Sequence, residues 1–403
     1  MTPASLRVVI VLPIYIPEGF GGAEQQTRQL AHALARRGVA VTLLAPRLEG
    51  KSPAQEQDGP VVVRRFLLRA APNLGGRHMD AFLCWCLCVS TWLWRNRRAY
   101  DVIHVIHGRL HAFPAAVSGR WLGKPVLVKV GNGGEGYFDL TVVQRKRLLG
   151  SFFARAVARS ATAWVATSRQ IAADLASWGV LSERVHPIPN GVAIPDSVVP
   201  RARDGGVRLL SVGRLAPEKA VDQTIRAFAA LESDKVTCLT IIGDGPCRQE
   251  LESLSRSLGQ DSRITFTGAV AEVAPYLRQA DIYVSSSVSE GMSNALLEAM
   301  SYGAVPVVSR ASGVDDVVAD GVSGLLFSSG DEVQLAQRLE EALSMTEERR
   351  SAMSDAARTT ARDHFSLDAV AERHVALYRR LVEQDGTVRD GRTQKSGTRF
   401  DRS

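Results

Sequence analysis

Short β-branched runs alternate with longer helical stretches along most of this chain, and they do so in two successive sets. The first set of predicted strands comprises residues 8–12, 39–44, 61–68, 102–106, 125–130 and 163–167. The second set comprises residues 208–212, 237–242, 264–267, 282–286, 305–308 and 324–327. Strands that alternate with helices form parallel, doubly wound sheets. The pattern therefore predicts an α/β protein with two Rossmann-like halves.

The predicted helices place the domain boundaries. They include residues 23–37, 80–95, 141–159, 222–231, 248–258 and 294–301, with two amphipathic helices at 346–364 and 367–381. Proline and glycine interrupt both patterns around residues 186–206, so we expect domains at 1–195 and 205–365. The tail, residues 383–403, is polar and basic, and we expect it to be disordered.

Composition narrows the choice of partners. The chain has 403 residues, of which 45% are hydrophobic, and a formal net charge of +7. A positive balance favours anionic partners such as nucleotide diphosphates or acidic lipids. No nucleic-acid motif accompanies it, so we expect no nucleic-acid partner. No apolar run reaches the roughly 20 residues needed to cross a bilayer, and an odd, low cysteine count favours a reducing cytosol.

One apolar segment, residues 81–94, combines unusual residue types. Cys84, Cys86 and Cys88 alternate there at a spacing that does not suit zinc, so we expect buried thiols. The segment also carries three tryptophans and runs into an arginine cluster, Arg95, Arg97 and Arg98. Tryptophans beside arginines suit a lipid headgroup boundary. A buried helix that ends in a charge cluster remains the alternative.

Glu290 and Glu298 flank a small, polar turn and the first turn of a predicted helix. Ser293 or Asn294 can cap this helix, and the N–H groups at its start then make a seat for phosphate. Glu298 lies one turn inside and could accept hydrogen bonds from a ribose, while Glu290 would lie beside the group attached to the phosphate. The pair suits a nucleotide-sugar, and an ordinary helix with two solvated glutamates is the alternative.

This spacing resembles the E-x7-E signature of the retaining glycosyltransferases of family 4, also called group 1, which have the GT-B fold. The resemblance extends to residues 213–219 ("GRL" and a lysine), to "GGAE" at 21–24 and to "IPNGV" at 188–192. It covers nearly the whole chain to about residue 382. It implies two Rossmann-like doubly wound parallel-sheet domains facing an interdomain cleft, and a last helix, 366–382, that crosses back onto the first domain.

The resemblance also implies roles for individual residues. Arg214 and Lys219 would neutralise a diphosphate leaving group, as arginine and lysine do well, and Glu290 would orient the sugar. The donor nucleotide-sugar would be held by Gly21, Gly22, Gly213, Val270, Ser293, Asn294, Ala295, Leu296 and Glu298. For Val270, a plain core strand remains an equal alternative. The chain contains no D-x-D motif, so no metal and no cofactor are expected.

The chain departs from the family pattern at one place. Members usually carry a cleft histidine directly after the strand that here begins at Pro125, but residues 131–137 contain none. Asn132, Glu135 or backbone groups could substitute for it. His107, at the end of an earlier strand, could reach the acceptor or the diphosphate, whereas His104 is expected in the core. Strand alternation keeps His104, His107 and His111 from converging on a metal.

The sequence therefore predicts a retaining, metal-independent hexosyltransferase. Its donor would be a nucleotide diphosphate sugar, with uridine as the expected nucleotide, and its acceptor a hydroxyl of a saccharide or lipid-linked saccharide. Synthesis of cell-surface polysaccharide or glycolipid would place it in the cytoplasm, with peripheral contact to the anionic inner face of the membrane. A nucleotide-sugar epimerase of the same fold and a non-catalytic nucleotide-sugar-binding subunit remain alternatives.

Overall fold

The computed structural model describes residues 6–19, 21–48, 52–72, 78–134, 136–146, 149–197, 206–231, 237–311 and 313–396. The chain divides into two compact units. Unit 1 comprises Met1–Ile188 together with Val370–Ser403, and unit 2 comprises Pro189–Ala369. Each unit is built on one mainly parallel sheet, which confirms the predicted fold class of two doubly wound α/β domains.

The described part of unit 1 contains a sheet of eight strands in the order β3-β4-β2-β1-β5-β6-β7-β8. The strands are β1 (Arg7–Val11), β2 (Ala40–Arg47), β3 (Gln55–Asp58), β4 (Val61–Leu67), β5 (Val102–Ile106), β6 (Val126–Lys129), β7 (Ala163–Ala166) and β8 (Val185–Pro187). Only β3 pairs in the antiparallel sense among these strands. Periodicity did not predict β3 or β8, because β3 is a polar edge strand and β8 has three residues.

The helices of unit 1 are α1 (Gly22–Arg36), α2 (Met79–Arg95), α3 (Ala112–Leu122), α4 (Asp139–Gln144), α5 (Gly150–Ser160) and α6 (Arg169–Ser177). The single helix predicted at 141–159 was wrong, since α4 and α5 are separate. Leu149 takes a left-handed φ of 55° between them. A Cβ at Gly150 would lie 2.4 Å from the carbonyl oxygen of Val143, so the close approach of the two helices requires glycine there.

Helices α2, α3 and α5 form one layer on the sheet of unit 1. Trp85, Val89 and Leu93 of α2 are buried in the same apolar cluster as Val105 and Val128 of the strands. The remaining face of α2 points away from the sheet. Cys84 is exposed there, so the prediction of buried thiols was wrong for this residue. A helix turns 100° per residue, and alternate positions therefore do not share one face as they would in a strand.

The described part of unit 2 contains a parallel six-stranded sheet in the order β11-β10-β9-β12-β13-β14. Its strands are β9 (Val207–Val212), β10 (Thr237–Ile242), β11 (Ile264–Gly268), β12 (Ile282–Ser285), β13 (Val305–Ser309) and β14 (Leu325–Phe327). Its helices are α7 (Val221–Ala229), α8 (Arg248–Ser257), α9 (Ala274–Leu277), α10 (Asn294–Ser301), α11 (Glu332–Ser344) and α12 (Glu347–Phe365). Apolar clusters lie on both faces of this sheet, as buried parallel strands require.

Helix α13 (Leu367–Ser396) begins in unit 2 and continues in unit 1. Its Tyr378 hydroxyl lies 2.7 Å from Nδ1 of His104 on β5, and the rings of His104 and His374 stack 5.5 Å apart. His104 is fully buried, as its strand position predicts. The helix runs beyond the end expected from the polar tail, since Gly386 lowers helix propensity without forbidding a helix. Residues 397–403 lie outside the described residues.

Candidate active site

Each sheet has one point at which the strand order reverses, between β1 and β5 in unit 1 and between β9 and β12 in unit 2. The loops that leave the carboxyl ends of two such strands diverge and open a crevice, where ligands bind in doubly wound folds. Gly213, Arg214 and Lys219 follow β9, and Glu290 follows β12. The strand order therefore brings Gly213, Arg214, Lys219 and Glu290 to the switch point of unit 2, whereas Val270 follows the edge strand β11.

Close backbone packing holds the loop that carries Lys219. The N–H of Gly213 donates to the carbonyl of Ile242 over 3.0 Å. A Cβ at Gly243, which has a φ of +137°, would lie 1.9 Å from the carbonyl oxygen of Gly213. A Cβ at Gly245 would meet the Leu215 backbone at 2.3 Å. The loops after β9 and β10 thus touch through their main chains, which only glycine permits.

Lys219 and Glu290 form an ion pair through Nζ and Oε1. The hydroxyl of Ser287 also donates to this carboxylate oxygen over 3.1 Å. The two loops are joined by main chain as well, because the N–H of Val288 donates to the carbonyl of Glu218 over 2.9 Å. The sequence proposed both charged residues but did not predict that they are in contact, 71 residues apart.

Arg214 differs from Lys219 in its surroundings. Its side chain is exposed, and no carboxylate of the described residues pairs with it. A Cβ at Gly213 would lie in ordinary van der Waals contact, 3.8 Å from Cε of Lys219, so the lysine stem packs along this loop. The switch point therefore carries one cation that is internally neutralised and one that faces solvent.

The N-terminus of α10 is built as its sequence predicts. Ser293 is the N-cap and its hydroxyl accepts the N–H of Leu296 over 3.4 Å. The amide of Asn190 donates to Oδ1 of Asn294 over 2.8 Å and to the carbonyl of Met292 over 3.1 Å. Ala295 is partly buried and Leu296 is buried in the core, so each could offer a ligand mainly its backbone. The sequence analysis noted Asn190 only as part of the "IPNGV" resemblance at 188–192 and did not predict these contacts.

Glu298 lies one turn inside α10, and burial raises the pKa of its carboxyl group to about 7. No described residue donates a side-chain or backbone hydrogen bond to this carboxyl group. A half-desolvated acid without a partner is a strong acceptor for a hydroxyl-bearing ligand. Val270, after β11, is partly buried and packs against the apolar cluster that contains Leu296.

Two depressions open at this end of the unit 2 sheet. One has about 270 Å³ of space and is lined by Gly213, Lys219 and residues 285–287, among others. The other has about 200 Å³ and is lined by Glu290, Ser293 and Leu296. Both are lined by Ser285 and Ser287. Lys219 lines the first depression and Glu290 the second, so the ion pair lies between the two, next to the start of α10.

In unit 1, Gly21 is the N-cap of α1 and Gly22 is its first residue, at the switch point after β1. A Cβ at Gly21 would lie 2.7 Å from Oε2 of Glu24. The Glu24 carboxylate therefore folds back over the helix N-terminus, where a negative charge is stabilised. An anionic ligand at Gly21 would have to displace this side chain.

The second switch-point loop of unit 1 is organised by Asp139, which is fully buried. Its carboxylate accepts the N–H of Gly108 at 3.0 Å, the N–H of Gly131 at 2.9 Å and Nε of Arg109 at 2.9 Å. Nδ1 of His107 lies 3.7 Å away. Burial alone would raise the pKa of Asp139, but His107, Arg109 and the Gly131 N–H outweigh it and hold the pKa well below its usual range.

His107 fills the space in front of Gly131. A Cβ at Gly131 would lie 1.6 Å from Nδ1 of the imidazole. His107 has a φ of +67°, which costs a residue with a Cβ about 1 kcal/mol. The side-chain amide oxygen of Asn132, oriented toward Arg109, accepts a hydrogen bond from Nη2 of Arg109 over 2.8 Å. Glu135 lies outside the described residues. We call His107, Arg109, Gly131, Asn132 and Asp139 the Asp139 cluster.

The sequence identified His107 and Asn132 but missed Asp139 and Arg109. The chain lacks a histidine after β6, yet an imidazole lies at that place and comes from the end of β5. A signal for Asp139 was present, since an aspartate directly before an apolar helix often interacts with the helix N-terminus. Its four partners come from two other loops, which no local pattern predicts.

Two doubly wound units with ligand-binding loops at their switch points are the architecture of GT-B glycosyltransferases. Two family models match the chain: "Glycosyl transferase 4-like domain" over residues 21–191 and "Glycosyl transferases group 1" over residues 196–360. The chain belongs to the group 1 glycosyltransferases, family 4.

Two similar proteins align with most of this chain. The lipopolysaccharide core biosynthesis glycosyltransferase LpsE of Rhizobium meliloti (strain 1021) is 24% identical over 370 residues, which are 89% of this chain and 95% of LpsE. A D-inositol 3-phosphate glycosyltransferase of Frankia alni is 29% identical over 80% of this chain and 86% of its own length.

Solved structures share the fold at low identity. A sucrose-phosphate synthase from Thermosynechococcus elongatus superimposes with a TM-score of 0.78 at 20% identity, over 94% of this chain and 100% of its own. Anabaena HepE in complex with UDP has a TM-score of 0.71 at 18% identity, over 92% of this chain and 99% of its own. These likenesses confirm the GT-B fold.

Proposed function

We propose that this protein is a retaining, metal-independent glycosyltransferase that transfers a hexose-type sugar from a UDP-sugar to a hydroxyl acceptor. The observation that carries the proposal is the contact between Lys219 and Glu290 at the switch point of unit 2, beside the N-terminus of α10. Lys219, which we propose binds the diphosphate, and Glu290, which we propose binds the sugar, are therefore adjacent.

The donor occupies unit 2 in this proposal. Lys219 and Arg214 bind the diphosphate, together with the N–H groups at the start of α10. Glu298 accepts the ribose hydroxyls, and Glu290 moves from Lys219 to the hydroxyls of the sugar as the phosphate replaces it. The loop at Val270 borders the nucleobase. The complex of Anabaena HepE with UDP supports uridine as the nucleotide.

The reaction breaks the bond between the anomeric carbon and the diphosphate oxygen, and it forms a bond from that carbon to the acceptor oxygen on the same face. Positive charge grows on the sugar while negative charge grows on the leaving phosphate. Lys219 and Arg214 stabilise that negative charge, and the acceptor proton passes to the departing phosphate oxygen. Each preorganised donor of this kind is worth roughly 3 to 4 kcal/mol in the transition state.

Unit 1 binds the acceptor in this proposal. His107 presents an imidazole that Asp139 and Gly131 hold in place, and Asn132 lies beside it. The name of LpsE supports an acceptor that is a saccharide, free or lipid-linked, in polysaccharide or glycolipid synthesis. Such an acceptor would place the protein at the cytoplasmic face of the cell membrane.

The test is a thermal-shift screen of nucleotide-sugars, followed by mass spectrometry of products formed from a membrane extract. We expect stabilisation by one UDP-sugar and a product whose mass has increased by one hexose-type unit. Free sugar released from the donor without any acceptor would instead indicate an epimerase. Donor binding with no transfer to any acceptor would indicate a non-catalytic subunit.

A further inference from the structure

The outward face of α2 carries large exposed apolar side chains over most of its length, with Asp80 at its start and Ser90 as its polar exceptions. Leu83, Leu87 and Trp94 are 61%, 70% and 57% exposed. They lie within about 40° of one another around the helix, since positions four and eleven residues apart share a face. No charged side chain occurs between Asp80 and Arg95. A helix on a protein surface normally carries polar residues on this side, so the face is an exception.

The same layer extends the apolar surface over two more helices. The ring of Phe113 on α3 lies 6.3 Å from that of Phe82 on α2 and 6.2 Å from that of Phe152 on α5. Phe152 is 57% exposed, and Trp121 at the end of α3 is 90% exposed. Both residues are exposed on helices that pack in the same layer as α2, although Phe82, which links the rings, is itself buried. We call Leu83, Leu87, Trp94, Trp121 and Phe152 the apolar patch.

Basic residues border the patch where the three helices end. Arg95, Arg97 and Arg98 follow Trp94, and the guanidinium of Arg97 lies over the Trp94 ring at 5.4 Å. At the ends of α3 and α5, Nη1 of Arg120 donates to the carbonyl of Arg159 over 3.2 Å. These helix ends therefore bring arginines from three sequence segments next to two exposed tryptophans.

The charges of the layer are unbalanced. Within α2, α3 and α5, which the structure describes completely, Asp80 is the single acidic residue, against Arg95, Arg120, Arg155 and Arg159. Asp80 lies 3.8 Å from Arg69, a further basic residue. Apolar side chains, boundary tryptophans and unopposed arginines are the combination that binds an anionic bilayer surface, with the apolar side chains among the acyl chains and the arginines at the headgroups.

We propose that the apolar patch and its arginines dock unit 1 on the surface of an anionic phospholipid bilayer. Among the described residues, none of the helices combines the length and the apolar character of a membrane-spanning segment. The proposed docking uses side chains on the surface of unit 1. The patch deepens the proposed function, since a lipid-linked acceptor would be presented at that surface. The docking itself does not depend on the identity of the donor, and its test needs no sugar.

The test is co-flotation of the full chain with vesicles of equimolar phosphatidylcholine and phosphatidylglycerol at low salt. We expect the wild type to float with these vesicles, and to bind far less to pure phosphatidylcholine or in high salt. Leu83→Glu combined with Leu87→Glu should lower the partition coefficient at least about tenfold, because two exposed leucines lose their lipid contact and two negative charges are added. Both side chains are exposed, so the thermal midpoint should be unchanged.

Matched controls separate the patch from general surface effects. Val333→Glu on α11 alters an equally exposed residue, at 69%, and should leave flotation unchanged. Arg97→Ala with Arg98→Ala should weaken binding and flatten its salt dependence, whereas Arg379→Ala with Arg380→Ala, an exposed pair on α13, should not.

The proposal is overturned if the wild type does not float with anionic vesicles, or if the double leucine variant floats as well as the wild type. Light scattering supplies a further criterion. If the wild type is a dimer that the leucine substitutions split, and vesicle binding is absent, the patch is an interface between two copies of this chain. If the double leucine variant no longer floats but a nucleotide-sugar stabilises it as much as the wild type, the result supports the docking surface and does not bear on the proposed donor site.

Discussion

The imidazole of His107 occupies the space in which a side chain at position 131 would lie, with Nδ1 1.6 Å from an ideal Cβ on Gly131. The glycine and the histidine are thus matched to one another across two loops that follow neighbouring strands, β5 and β6. Asp139 holds both loops, since it accepts the N–H groups of Gly108 and Gly131. Residues 131–137 after β6 contain no histidine, but the imidazole of His107, which comes from the end of β5, lies beside Gly131.

Gly131→Ala should displace this imidazole and slow transfer while leaving donor binding intact. We expect the acceptor-dependent kcat/KM to fall at least about tenfold, because a misplaced group loses its orientation in the transition state. Stabilisation by UDP, which is assigned to unit 2, should not change. Gly134→Ala controls for backbone strain in the same loop, since its φ of +89° disfavours alanine although a Cβ there meets nothing within 4 Å and would not touch the imidazole. Equal rates for the two variants would contradict a role for His107.

Asp139→Asn should destabilise the protein at neutral pH by about 3 to 5 kcal/mol, because a buried charge network loses its anion. The pKa of Asp139 is held below its ordinary value, so its contribution is full above the ordinary pKa near 4 and is lost as pH falls toward the lower, folded-state pKa. Urea unfolding at pH 7 and at pH 3 measures the free energy of unfolding of the wild type and of the variant. The difference between wild type and variant should shrink at the acidic pH, and a difference independent of pH would count against the assignment.

Glu298→Gln should act on stability in the opposite direction. The pKa of about 7 lies above the ordinary 4.5, so the folded state keeps a proton that the unfolded chain has released. The free energy of unfolding of the wild type should therefore fall by up to about 3 kcal/mol between pH 4.5 and pH 8. The variant should lack this decline and bind donor more weakly, as it loses a charged acceptor. Glu250→Gln, on the exposed side of α8, should behave as the wild type does.

Lys219→Met should depress turnover about 100-fold or more, in line with the loss of one preorganised donor to the leaving group. The side chain is partly exposed, so the fold should survive the change. Initial rates with a saturating UDP-sugar, compared with the thermal midpoint, separate the two effects. Near-normal turnover would contradict the role of Lys219 in stabilising the diphosphate leaving group. Arg226→Met, on the exposed side of α7, serves as the control for removal of a nearby positive charge.

The sequence by itself determined the buried strands and their alternation with helices, but not the edge strands β3 and β8 or the break between α4 and α5. Buried parallel strands are continuous apolar runs, so β5 and β10 were predicted to the residue, and α10 followed from a serine cap and helical spacing. These features are local, since a cap, a turn or a periodic face is encoded within a few residues.

Only the tertiary structure decided which side chains meet. Lys219 reaches Glu290 because β9 and β12 are neighbours at a switch point, although they are distant in sequence. His107 lies against Gly131 because β5 pairs with β6, and Asp139 gathers both loops from a third segment. Local patterns also misplaced Cys84, whose exposure depends on which face of α2 meets the sheet. Contacts of this kind depend on strand order and on packing in three dimensions, which local propensity does not specify.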